Sequence, residues 1–422
     1  MPRADSNSKT GAKGNPIPAG RPHFPALTGI RIFLALWVIS YHLTSSTGIL
    51  PLSERLPWPA SNLVYTAYAA VETFFILSGF ILSALYPCQQ WWTKAKLYGF
   101  ASARFARIYP VYALSLALSV PFALPPLLRD PSWRQIVTQS GIGLTHWSLL
   151  QAWIPGIALE WNSPAWSLSA EVSFYLVFPF LSVLVWRHLT IGRLAVVSLA
   201  FWSMAIAVPL VFALNSNFPF YGMTAVSPHG PEGTLANLVK FNPILRVADF
   251  CLGVVAGRMF SIFREKYPRM AGRGYWFYLP GMFLFVTTAS LGNSIPFLLF
   301  NNGLTAPFLT MIVFGLALGG GTVERILASP LAMWGGELSY AVYLLQDPVL
   351  SYCRFAAKHA GFAVSGYILA AVFLITLFGL AVAAVQFVEK PMNRMLRARF
   401  DRNRAVAASR QPVRAEATLG AA

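Results

Sequence analysis

Apolar runs of about 20 residues recur along this 422-residue chain, separated by short polar turns. Wound as an α-helix at 1.5 Å per residue, such a run matches the roughly 30 Å hydrocarbon core of a bilayer. The composition agrees, at 56% hydrophobic and only 11% charged residues. The expected fold is therefore all-α, a polytopic membrane protein with about ten transmembrane helices. Spans fall at roughly 27–47, 64–86, 109–128, 164–186, 194–214, 243–262, 275–292, 299–320, 334–353 and 364–388.

Ten spans put both termini on one side, and the basic residues say which. With a cytoplasmic N-terminus, about three quarters of the 32 Lys and Arg residues fall in inside segments, as the positive-inside rule requires. The same distribution accounts for the net charge of +17 through topology and attraction to anionic membrane lipid, so no nucleic-acid partner is expected. Residues 1–21 read as a disordered cytoplasmic tail, 22–392 as the membrane domain and 393–422 as a basic, largely disordered cytoplasmic tail. Residues 1–23 lack an apolar stretch, so the first span is expected to stay as an uncleaved anchor in the cytoplasmic (inner) membrane. Trp133, Trp147, Trp153 and Trp161 suggest that the outer segment 129–163 is structured at the interface.

Several chemistries find no support. Cys88, Cys251 and Cys353 form no CxxC or Cys/His metal spacing and read as packing residues. No metal site or bound cofactor is expected, and no HExxH, GxSxG or GxxxxGK[ST] motif occurs.

What stands out is ionisable groups inside apolar sequence. Arg31 and His42 lie eleven residues apart in the first span, three helical turns plus about 20°, and so share one face about 16 Å apart along the axis. A charge at depth costs roughly 2.5–3.5 kcal/mol on insertion scales, which marks such residues as functional by default. Glu72, Glu171, Asp249, Glu337 and Asp347 also fall within or at the edges of spans. Counted from the cytoplasmic ends, Glu171 and His42 lie at matched depth, about 15 residues in, and could meet if their helices are neighbours. Such a pair suits general-base catalysis, or else only fixes helix packing. Arg104 and Arg107, three apart before the third span, would project from one helical face. They suit a phosphorylated cytosolic ligand, or else are ordinary positive-inside charge.

Six stretches resemble the acyltransferase-3 family of integral-membrane O-acyltransferases. They are Leu27 to Leu43 with Arg31 and His42, Val71 to Phe80, and Arg104 with Arg107 before Ile108-Tyr109-Pro110. Trp166-Ser167-Leu168-Ser169-Ala170-Glu171 with Phe174-Tyr175, Arg246 to Gly253, and Phe387 to Pro391 complete the set, in matching order and spacing.

That resemblance implies transfer of an acyl group, commonly acetyl, from cytosolic acyl-coenzyme A (acyl-CoA) to a hydroxyl of a carbohydrate, glycolipid, lipid or other envelope acceptor. By position it implies His42 as catalytic base, Glu171 as its partner, and Arg31, Arg104, Arg107 and Tyr175 as donor-binding groups. Two positions depart from the family. Thr28 replaces a frequent acidic residue, and Gln346 replaces a frequent histidine. Gln346 cannot act as acid or base, which leaves His42 as the histidine well inside a span, because His23, His146, His188, His229 and His359 fall in tails, loops or interface segments. From the residues alone, a transporter or flippase lined by Arg31, His42 and Glu171 is the alternative.

Overall fold

In a computed structural model, the chain is described at residues 23–46, 49–50, 57–58, 60–86, 91, 93–125, 129, 132–186, 189–214, 230–396 and 398. Its helices are α1 (Pro25–Tyr41), α2 (Ala60–Tyr65), α3 (Ala69–Leu85), α4 (Lys94–Ala123), α5 (Trp133–Trp147), α6 (Trp166–Trp186) and α7 (Ile191–Leu214). They continue as α8 (Gly230–Phe241), α9 (Pro243–Lys266), α10 (Tyr275–Ser290), α11 (Ala306–Leu318), α12 (Thr322–Leu327), α13 (Pro330–Lys358) and α14 (Gly366–Ala383). Each of the ten expected apolar segments contains helix, the secondary structure that satisfies its backbone groups within the segment itself.

Among the described residues, six helices suffice by length and composition to cross a membrane: Pro25–Thr44, Lys94–Ala123, Ser163–Trp186, Ile191–Leu214, Phe297–Leu318 and Gly366–Leu396. The expected number of ten exceeds these six. The segment at α3 is a shorter apolar helix of 17 residues, and α10 has only 16. Both α9 and α13 are long, but α9 carries Arg246, Asp249 and Arg258, and α13 carries Glu337 and Asp347. The last helix runs on to Leu396, past the expected boundary at 392. The tail residues 1–21 and 399–422 lie outside the described residues, as do Cys88, His188 and His229.

Local sequence sets the helix starts. Asn242 caps α9, its side chain accepting from the Ile244 N–H at 2.9 Å, and Pro243 follows at the first helical position. Ser329 does the same for α13, accepting from Ala332 N–H at 3.3 Å ahead of Pro330. Beyond its last α-helical residue, α1 widens into a π-helical turn, His42–Ser46, a form of local unwinding that recurs at functional sites.

Lipid tails are as apolar as leucine, so close packing has to hold such helices together. Among the described residues, helices α3 and α9 share the most extensive helix–helix contact. A Cβ at Gly79 would collide with the Phe250 carbonyl, and one at Gly253 with the Ile76 carbonyl, so only glycine permits this approach from either side. Phe75 of α3 then meets Phe174 of α6 edge-on at 5.0 Å, and Phe174 stacks on Phe250 of α9 at 5.2 Å. Helix α1 lies mainly against α13, where Gly336 abuts the Thr28 carbonyl, and also touches α3.

One helix is broken. Asn302 (φ −129°) and Gly303 (φ 88°) interrupt the segment before α11. A buried polar cluster braces the break. The Arg246 guanidinium donates to the carbonyls of Lys240 at 2.8 Å and Asn301 at 2.5 Å and lies 3.5 Å from Asp249 Oδ2. Thr305 donates to Glu72 Oε2 at 2.9 Å, and Asn302 donates to the Val239 carbonyl at 2.6 Å. Arg246 and Asp249 are each only 1% exposed, and removing one member of such a pair would strand a buried charge.

Candidate active site

Two cavities adjoin within the helical bundle. The first, of about 470 Å³, is lined by Arg31 from α1, Ser78 from α3, Arg104 and Arg107 from α4, and Glu171 and Tyr175 from α6. Tyr340 and Glu337 of α13 and Glu389, Lys390 and Asn393 beyond α14 close it. Five of the six residues singled out from sequence therefore share one space. Four cations face three carboxylates there, so the cavity can take a polyanion while keeping fixed polar partners.

The geometry inside is well tied. Tyr175 donates to Glu171 Oε1 at 2.5 Å and Ser78 donates to the same oxygen at 2.9 Å. Tyr175 comes one turn after Glu171, so helical periodicity alone brings the two together. The Arg104 guanidinium sits over the rings of Phe100 at 5.8 Å and Tyr175 at 5.9 Å, and its buried Nε has no hydrogen-bond partner among the described residues. An unused buried donor on a cavity wall is suited to an incoming acceptor such as phosphate.

The second cavity, of about 380 Å³, holds His42. Tyr41, Tyr68, Trp166, Phe241 and Tyr343 give it aromatic walls, and Lys240, Gln346, Asp347 and Arg354 supply polar groups. His42 Nδ1 lies 3.0 Å from Gln346 Oε1. Gln346 Nε2 in turn donates to the Tyr343 carbonyl at 2.8 Å, and Asp347 Oδ2 accepts from the Ser163 backbone N–H at 3.2 Å. Val71 and Tyr343 line both cavities. The Tyr343 hydroxyl bonds with Ser167 at 3.0 Å, and Ser167 itself faces the first cavity.

The expected pairing of His42 with Glu171 does not form. His42 bonds with Gln346, whereas Glu171 bonds with Ser78 and Tyr175 in the other cavity. Counting residues from helix ends measures position along each helix's own axis and says nothing about which neighbour a side chain meets. The principal partner of α1 is α13, and α13 supplies the residue beside His42.

Sequence reasoning treated Gln346 only as a lost base and overlooked its hydrogen bond. Tyr343 and Val71 are uncharged within apolar runs, so nothing in the sequence marks them as bordering two cavities. His146 is fully buried, its Nδ1 bonded to the Ile142 carbonyl at 2.9 Å and its ring stacked on Trp161 at 5.8 Å. Cys251 and Cys353 are buried free thiols.

Comparison with known proteins bears on this arrangement. Residues 24–385 match the family model described as an acyltransferase domain. The chain is 29% identical over 417 residues to the acyltransferase MdmB of Streptomyces mycarofaciens, which covers 93% of this chain and 96% of that protein. It is 22% identical over 389 residues to the O-acetyltransferase OatA of Staphylococcus aureus (strain NCTC 8325 / PS 47), spanning 88% of this chain but only 57% of OatA. No solved structure matches.

Proposed function

This chain belongs to the acyltransferase-3 family, and from that premise we propose that it carries an acyl group from acyl-CoA in the arginine-lined cavity to a hydroxyl presented in the histidine cavity. The observation that carries this reading is the division of labour between two adjoining spaces. Arg31, Arg104 and Arg107 gather in one, His42 stands in the other, and Val71 and Tyr343 border both.

In this reading the phosphates of coenzyme A engage Arg104 and Arg107, whose planar forks bind phosphate oxygens in pairs. Glu171, held by Tyr175 and Ser78, limits the excess positive charge in that cavity. The pantetheine arm brings the thioester up to the boundary at Val71 and Tyr343. His42 takes the proton of the acceptor hydroxyl as that oxygen attacks the thioester carbonyl. Collapse of the tetrahedral adduct breaks the C–S bond, and the departing thiolate receives the proton from the imidazolium. Atoms and charge balance without a metal or redox partner.

Acetyl is the proposed acyl group, in keeping with the O-acetyltransferase OatA of Staphylococcus aureus among its relatives. The acceptor is a carbohydrate, glycolipid or other hydroxyl-bearing envelope molecule, and the aromatic walls of the histidine cavity suit a bulky, partly apolar one. The arginine cavity faces the cytoplasm of the inner membrane, with both termini on that side. This orientation puts the basic residues inside and the donor where it is made.

The test is transfer from radiolabelled acetyl-CoA by membranes containing the protein. Label should enter an envelope or lipid fraction, His42→Ala should abolish that, and the Arg104→Ala/Arg107→Ala variant should weaken it at limiting donor. No donor consumption with acetyl or longer acyl groups, in acceptor-rich membranes, would overturn the proposal.

A further inference from the structure

We infer that Gln346 is a positioning residue for acyl transfer, its side-chain amide holding His42 in the tautomer that leaves Nε2 ready to take the acceptor's proton. This rests on the reading of His42 as the base. The argument is one of hydrogen-bond direction. An amide group has one end that only accepts and one that only donates. Gln346 Nε2 spends its donor on the Tyr343 carbonyl at 2.8 Å, three residues earlier on α13. That turns Oε1 towards His42 Nδ1 at 3.0 Å. A carbonyl oxygen cannot donate, so Nδ1 must carry the hydrogen, and a neutral ring then has its lone pair on Nε2.

The chain of contacts is rigid where it has to be. Gln346 is 1% exposed on a long helix, and the Tyr343 side chain is separately fixed by its hydroxyl bonds to Ser167 at 3.0 Å and the Pro164 carbonyl at 3.1 Å. Val71 is shared with the donor cavity, so the side of the ring that takes the proton has to be set relative to a fixed boundary. An uncharged amide also performs this task without adding a charge beside the imidazole. Asp347, next along α13, is engaged by the Ser163 N–H instead.

Three variants and one spectrum test this. Gln346→Leu keeps the size but removes the acceptor, and should lower kcat at least about tenfold, a part of the 10²–10⁴ a positioned base contributes, while leaving the donor KM near wild type. Gln346→Glu keeps an acceptor for Nδ1 but loses the donor given to the Tyr343 carbonyl, and should recover kcat above the Gln346→Leu level. Its carboxylate should also move the acid limb of kcat/KM to higher pH, against a background of Tyr41 on α1, Tyr68, Lys240 on α8, and Asp347 and Arg354 on α13. Loss of kcat in both variants with an unmoved pH profile would mean a purely structural role and overturn the inference.

Independently of any Gln346 variant, ring-¹⁵N-histidine spectra of the wild type, with His42 assigned by its loss in His42→Ala, should show a protonated Nδ1 and a bare Nε2. The opposite tautomer would overturn the inference. If His42→Ala retains full activity, the base assignment falls and the inference with it. If His42→Ala is inactive while Gln346→Leu matches wild type in kcat and pH profile, only the role of Gln346 falls.

Discussion

Arg31 and His42 stand eleven residues apart on one helix, and each opens into a different cavity. The first helix thus spans the two spaces proposed for donor and acceptor. Arg31 lies within the straight α-helix, and His42 begins the π-helical turn at its end. A change at either residue should therefore affect a different kinetic constant.

On the donor side, Arg104→Ala should raise the acyl-CoA KM about ten- to a hundredfold, the equivalent of a lost charged hydrogen bond worth about 1.5–3 kcal/mol. His42→Ala should instead remove kcat while leaving donor affinity within a few-fold of wild type. Steady-state kinetics combined with equilibrium binding of acetyl-CoA separate the two. A common effect of both changes on donor binding would argue against separate cavities.

Val71 borders both cavities. Enlarging it in Val71→Trp should obstruct the meeting of thioester and acceptor, lowering transfer more than tenfold with donor binding retained. If acetyl-CoA binding falls in parallel, Val71 belongs to the donor site alone.

Gly79→Ala should destabilise the bundle by about 1–3 kcal/mol, because the new Cβ has to displace the Phe250 backbone at the crossing of α3 and α9. Gly379→Ala, where nothing lies within 4 Å, should be near neutral. Thermal unfolding in detergent compares them, and equal melting temperatures would deny that the crossing is tight.

His146, on α5 outside the candidate spans, is held below the usual histidine range by burial. The unfolded chain then binds this proton more readily than the folded one, so its contribution to stability is present above the ordinary value of about 6.5 and is lost as pH falls below it. Wild type should lose thermal stability between pH 7.5 and 5.5, and His146→Gln should flatten that dependence. Glu160, which attracts the protonated ring, opposes the effect and reduces its size.

Much of this was legible in the sequence because helix placement and charge follow from local pattern. Apolar run length located the helices, and Arg31, Arg104, Arg107, Glu171 and Tyr175 stood out as polar groups in motif positions before their common cavity was visible. The pairing of His42 was not legible, because it depends on which helix lies beside α1. Gln346 reaches His42 across 304 positions of sequence. No local periodicity encodes such a contact. The break at Asn302 and Gly303 was hidden for a similar reason, since bonds from Arg246 and Thr305 hold it in place from outside or just beyond the segment.

The most direct measurement is sidedness. Radiolabelled acetyl-CoA, which does not cross the bilayer, is supplied to sealed inside-out and right-side-out vesicles containing the protein, and transfer to the envelope acceptor is followed. Transfer should occur with inside-out vesicles, where the arginine cavity meets the donor, and be lost there with His42→Ala. Equal transfer from both orientations, or transfer confined to right-side-out vesicles, would contradict the arrangement of a cytoplasmic donor cavity joined to a histidine cavity beyond it.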